Sequence, residues 1–86
     1  MKDLIVINGP VAHLVFEGNI RDKVAKSKFV AFADYCNGVT TCFIKIVGKY
    51  DRAMERSIKK DFSRYGKIKS IAYRPSGVEI TRINPN

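Results

Sequence analysis

DRAMERSIKKDFSRYG, residues 51–66, spaces its apolar residues as one stripe of an α-helix: Met54, Ile58, Phe62 and Tyr65 recur every three to four positions. Asp51 is a suitable N-cap, because its carboxylate can accept the first free backbone N–H groups. Gly66 can adopt the left-handed conformation that ends a helix. At about 100° per residue, Arg52, Arg56, Lys59, Lys60 and Arg64 gather on the side opposite the stripe. Glu55 and Asp61 fall at the two margins. The pairs Arg52/Arg56 and Arg56/Lys60 place like charges four apart, each costing a few tenths of a kcal/mol. Glu55 to Lys59 and Asp61 to Arg64 recover a similar amount. Helix stability therefore does not account for the basic face, which is either a solvated surface or a place for an anion.

The fold follows outward from this helix. Before it, Val39 to Tyr50 alternates as a strand, with Cys42, Ile44 and Ile46 on one side and Phe43, Lys45, Val47 and Lys49 on the other. After it, Lys67 to Arg74 reads as a strand with Ile68 and Ala72 on one side and Lys69, Ile71 and Tyr73 on the other. Arg74-Pro75-Ser76-Gly77 is turn chemistry, and Val78 to Ile83 returns with Val78 and Ile80 inward. Toward the N-terminus, Arg21 to Cys36 has a helical face of Ala25, Phe29, Phe32, Ala33 and Cys36. Asn19 is its candidate cap and Asn37-Gly38 its stop. Leu4 to Ile7 and Val11 to Phe16 are apolar runs joined by Asn8-Gly9-Pro10 and predict a hairpin. Neither run alternates cleanly, which suits a hairpin buried on both faces or one that forms part of an interface.

The order ββαβαββ predicts an α+β two-layer sandwich, one domain over residues 1–86. Two helices would pack on one face of a mostly antiparallel sheet of about five strands. The strand-helix-strand unit from Val39 to Arg74 should cross over right-handed.

FIKIVGKY (43–50) followed by DFSRYGKIKSI (61–71) resembles the first half of an RNA recognition motif. That family stacks bases on aromatics, and holds phosphates with basic residues, on the strand face away from its helices. Position by position the resemblance implicates Phe43 and Lys45. The family's second aromatic signature is absent, since the last strand reads GVEITRI.

The chain of 86 residues has 16 Lys and Arg against 8 Asp and Glu, a formal charge of +8. A field of that size on so small a domain favours polyanions: nucleic acid, an anionic surface or an acidic protein. Cys36 and Cys42 make neither a disulfide framework nor a zinc pattern, and read as small core hydrophobes in a reducing, cytoplasmic setting. The single histidine, His13, lies in an apolar run and reads as a packed strand residue. Glu17, Asp22, Asp34 and Glu79 form no pair at acid–base or metal spacing. The sequence thus points to a non-enzymatic protein with no cofactor and no metal. Met54, Ile58, Phe62 and Tyr65 are needed for the core, which leaves no apolar face for membrane insertion.

Two surfaces suit nucleic acid, whether RNA or DNA. One is the helix face of Arg52, Arg56, Lys59, Lys60 and Arg64, which can neutralise phosphates. The other is a sheet face of Phe43, Lys45, Lys49, Lys69 and Tyr73, where aromatics between lysines would stack a single strand. Arg21, Lys23, Lys26 and Lys28 also make the start of the first helix basic, beside free backbone N–H groups. The rival expectation is a small inhibitor or adaptor, of the viral or mobile-element kind, docking on an acidic protein. The N-terminal hairpin or another edge strand is also a candidate homodimer seam.

Overall fold

The computed structural model describes residues 5–8 and 11–83. Along the chain run β1 (Ile5–Asn8), β2 (Val11–Glu17), α1 (Lys23–Tyr35), β3 (Thr41–Val47), α2 (Arg52–Phe62), β4 (Ile68–Arg74) and β5 (Gly77–Arg82). They form one α+β unit with a mixed sheet in the order β1-β2-β3-β5-β4. β2 and β3 are parallel, and the other neighbouring pairs are antiparallel. Strands β2 to β5 make the body, with the four-residue β1 as a short edge.

Because β3 and β4 both run antiparallel to β5, they run parallel to each other with β5 inserted between them. Two β-α-β units therefore share β3, and both helices travel in the same direction. Contacts match them start to start and end to end: Arg21 with Asp51, Lys26 with Ser57, and Tyr65 with Asp34. The amino ends of both helices consequently lie side by side.

Alternation supplies the core. Ala12, Leu14 and Phe16 of β2, Cys42 and Ile44 of β3, and Val78 and Ile80 of β5 are buried against Phe29, Phe32, Met54, Ile58 and Phe62 of the helices. Phe16 and Phe62 both meet the ring of Phe29 edge-on, at 5.2 and 5.4 Å between centroids. Each of these three side chains contributes roughly 1.5–3 kcal/mol by leaving water. The residues between them in sequence, His13, Glu17 and Lys45, are exposed on the opposite side of the sheet.

Several local expectations change. β2 alternates and buries one face only, because no layer covers its His13 side; His13 is exposed rather than packed. Gly9 and Pro10 of the expected turn lie outside the described residues. Asp22, not Asn19, caps α1, accepting the Ala25 N–H at 3.1 Å. Asn19 accepts the Arg21 N–H instead and shapes the turn ahead of the helix. Asp51 caps α2 as expected, through the Met54 N–H at 3.1 Å. That helix ends at Phe62, so Tyr65 lies beyond it and donates its hydroxyl to Asp34. Gly66 has no positive φ, whereas Gly38, at φ +88°, supplies the left-handed stop after α1.

Candidate nucleic-acid interface

The cations of α2 are exposed on its outer side, as their spacing requires, but they are not equivalent. Arg64 lies in the turn beyond the end of α2 and is shared between Asp34 and Asp61, at 3.4 Å each, and Lys59 sits 3.9 Å from Glu55. Among the described residues, Arg52, Arg56 and Lys60 have no carboxylate within ion-pair distance. Four-residue spacing sets these three in a row along the helix, about 6 Å apart on the axis. Asp61 is not at a solvated margin: it is 1% exposed on the α2 side that is buried with Ser57, and its Oδ2 has no hydrogen-bond partner. Helix α2 continues its buried side through Ser57 and Asp61, so the apolar stripe is wider than the apolar residues alone suggest.

Parallel packing of the helices brings α1 into this surface. A cleft of about 350 Å³ lies between them, lined by Arg21 in the turn ahead of α1, by Lys26 of its first turn and by Arg56, Ser57 and Lys60 of α2. Ile20 and Ala53 supply the apolar part of its lining. The Lys26 ammonium donates to Ser57 Oγ at 3.0 Å, which ties one helix to the other. Arg21 bridges to Asp51 at 2.7 Å. This bridge, with the Met54 N–H, holds the Asp51 carboxyl below its ordinary value. Asp22 and Asp51 already occupy the helix amino ends as caps. Each carboxylate accepts one N–H of its helix's first turn, and the cleft lining offers an anion the side-chain cations Arg21, Lys26, Arg56 and Lys60.

The expected sheet-face set does not assemble. Phe43 and Lys45 do project from the side away from the helices, and His13 joins them, its ring 6.0 Å from that of Phe43. Lys49 lies beyond the end of β3. Tyr73 faces the other way. The pairing of β4 with β5 slips between Ile68 and Ser70, so Lys69 is an extra bulged residue and the alternation after it reverses. Ile68 and Ile71 then turn toward the core, and Tyr73 stands beside α2. The Tyr73 hydroxyl donates to Glu55 at 2.9 Å, and its ring meets Tyr50 edge-on at 5.6 Å. Burial, the bond to Tyr73 and the nearby Glu55 carboxylate push the Tyr50 hydroxyl up from its ordinary value. Arg74 pairs with Glu79 on the uncovered face at 2.8 Å, which offsets its charge there.

One cation was not singled out by composition or helical spacing. Arg82 is 3% exposed and sits among the core residues. It donates to the backbone carbonyls of Phe62 (3.1 Å), Val39 (2.7 Å) and Cys36, and lies 5.8 Å over the Phe62 ring. Alternation along Val78, Ile80 and Arg82 was the available signal. The α1 helix has no basic residue in its last turn, so this β5 guanidinium supplies the positive charge its carboxyl end favours. Cys36 and Cys42 are buried free thiols beside it. A hydrogen bond to Cys42, together with burial, pushes the Cys36 thiol up.

Fold and charge together define a class: a small α+β domain with a cationic helical layer and an uncovered sheet back. No protein-family model matches the chain, and neither a curated protein nor a solved structure matches it. Among the described residues, no helix is long and apolar enough to cross a membrane. Nor do three or more His, Cys, Asp or Glu residues gather there as a metal site.

Proposed function

We propose that this domain binds nucleic acid without catalysing a reaction on it, holding phosphates along the outer face of α2. Arg52, Arg56 and Lys60 make the main contacts, with Lys59 beside them; Arg64 is largely committed to Asp34 and Asp61. The observation that carries this reading is the row of three cations without carboxylate partners, opening onto a cleft lined by Arg21 and Lys26. Phosphate contact gives affinity rather than sequence preference, so RNA and DNA are both ligands of this surface. The sheet back is the weaker surface, because Tyr73, Lys49 and Lys69 do not join Phe43 and Lys45 there.

The test is a titration with short DNA and RNA oligomers, followed by amide chemical shifts and repeated at several salt concentrations. Shifts should concentrate in residues 52–60 and at the start of α1. The triple variant R52E/R56E/K60E should fold normally and lose most of its affinity. Its log–log salt slope should flatten by roughly 0.7–0.9 for each phosphate that the variant no longer neutralises. Shifts confined to Phe43, Lys45 and His13 would move the interface to the sheet. Absence of binding at low salt would replace nucleic acid with an acidic protein as the partner.

A further inference from the structure

The cleft between α1 and α2 holds more positive charge than a backbone phosphodiester can use. Arg21 is matched by Asp51 at 2.7 Å, but Lys26, Arg56 and Lys60 also line the cleft, and among the described residues none has a carboxylate in ion-pair reach. An internal phosphate of a nucleic-acid strand carries one negative charge. A terminal phosphomonoester carries about −1.5 to −2 at neutral pH and three strong acceptor oxygens. The Lys26 ammonium is positioned for such a group, because Ser57 Oγ takes one of its three donors at 3.0 Å and leaves the others to a ligand. Shape agrees with charge. Residues such as Arg52 and Lys59 stand on the convex exterior of α2, where a continuous backbone can run. The cleft is a concavity of about 350 Å³, within the size range of small-ligand sites, and it suits a strand end.

We propose that this cleft seats the phosphorylated end of a nucleic-acid strand, with Lys26, Arg56 and Lys60 around the phosphate and Arg21 at the rim. The inference rests on the nucleic-acid reading and deepens it: it says which part of the polymer the domain selects.

The experiment compares one labelled oligonucleotide sequence bearing a 5′-phosphate, a 3′-phosphate or hydroxyls at both ends, single-stranded and as a blunt duplex, by fluorescence anisotropy. A phosphorylated end should bind on the order of tenfold tighter than the hydroxyl-ended form, since charge-assisted contacts are at stake. K26Q and S57A lie off the exposed α2 row. They should bring the ratio of phosphorylated-end to hydroxyl-end affinity down from about tenfold to within roughly threefold, whatever they do to affinity overall. Circular dichroism checks that both variants fold. Equal affinity for all end chemistries would overturn this inference and leave the α2 phosphate-binding reading standing. No binding of any oligonucleotide would overturn both. A nucleoside monophosphate that competes as tightly as the phosphorylated oligonucleotide would overturn the strand-end assignment in favour of a free nucleotide.

Discussion

Replacing Arg82 by Met tests whether one buried guanidinium holds the two helices in register. Met approximates the length and volume of the side chain, so the change removes donors without opening a large cavity. Three backbone carbonyls, those of Cys36, Val39 and Phe62, lose their partner in a position only 3% exposed. Hydrogen bonds to a charged group are worth about 1.5–3 kcal/mol each, which would sum to roughly 5–9 if they were additive. Two costs in the native protein reduce that sum: the guanidinium is desolvated, and its Nε is buried without a partner. No carboxylate lies in ion-pair reach of Arg82 among the described residues, so relief of its burial is a real gain for Met. Each stranded carbonyl costs about 1–3 kcal/mol, and relief of the guanidinium's burial offsets part of the sum, which leaves a loss of about 3–5 kcal/mol. A domain of this size holds roughly 4–13 kcal/mol in total. R82M should therefore melt on the order of 20 °C lower and shift its urea midpoint strongly. R82K keeps the charge but not the planar fork, and should fall between the two. Thermal and urea unfolding followed by circular dichroism give the answer. If R82M unfolds within about 1 kcal/mol of the native protein, the carbonyls find other partners and the tie between helix ends is not what holds the register.

Other expectations concern single sites. Gly77 has φ +155°, and a Cβ there would run into the Ile44 carbonyl oxygen, so G77A should cost at least about 2 kcal/mol in urea unfolding through strain and backbone displacement. The Asp51 carboxyl is lowered from 3.8 in the folded chain, so the unfolded chain takes up its proton first. Its contribution is present above about pH 4 and is lost as pH falls through and below that value; D51N should accordingly lose less stability between pH 5 and 2 than the native protein. Cys36 and Cys42 are both fully buried, so alkylation at pH 8 should proceed only at the rate of unfolding, even though the hydrogen bond from Cys36 and the nearby Arg82 lower the Cys42 thiol. Rapid labelling of either thiol in the folded protein would show that the region around Arg82 opens locally.

Period-based patterns carried much of this molecule into view. The stripe Met54, Ile58 and Phe62 and the alternation Cys42, Ile44 and Ile46 are local repeats that burial enforces, and they located α2 and β3. The basic side of α2 was legible for the same reason: residues opposite a buried stripe must face solvent. Two kinds of site were not. Unbroken alternation along β4 would put Tyr73 on the uncovered face, but one bulged residue at Lys69 reverses every side chain after it. The partners of Arg21, Lys26 and Arg82 lie 30 or more residues away in five of their six tertiary hydrogen bonds, and no local period reports them.

The sequence alone determined the class of fold, the strongly cationic character and the outward direction of the α2 charges, because each depends on composition or on neighbours within a turn or two. Tertiary structure decided which cations remain free. The parallel β2/β3 pair sets both helices running the same way, which brings the start of α1 beside Arg56 and Lys60 and assigns Arg64 to Asp34 and Asp61. Charge is a property of residues, but its surplus at a point in space depends on which distant carboxylates the chain brings within reach.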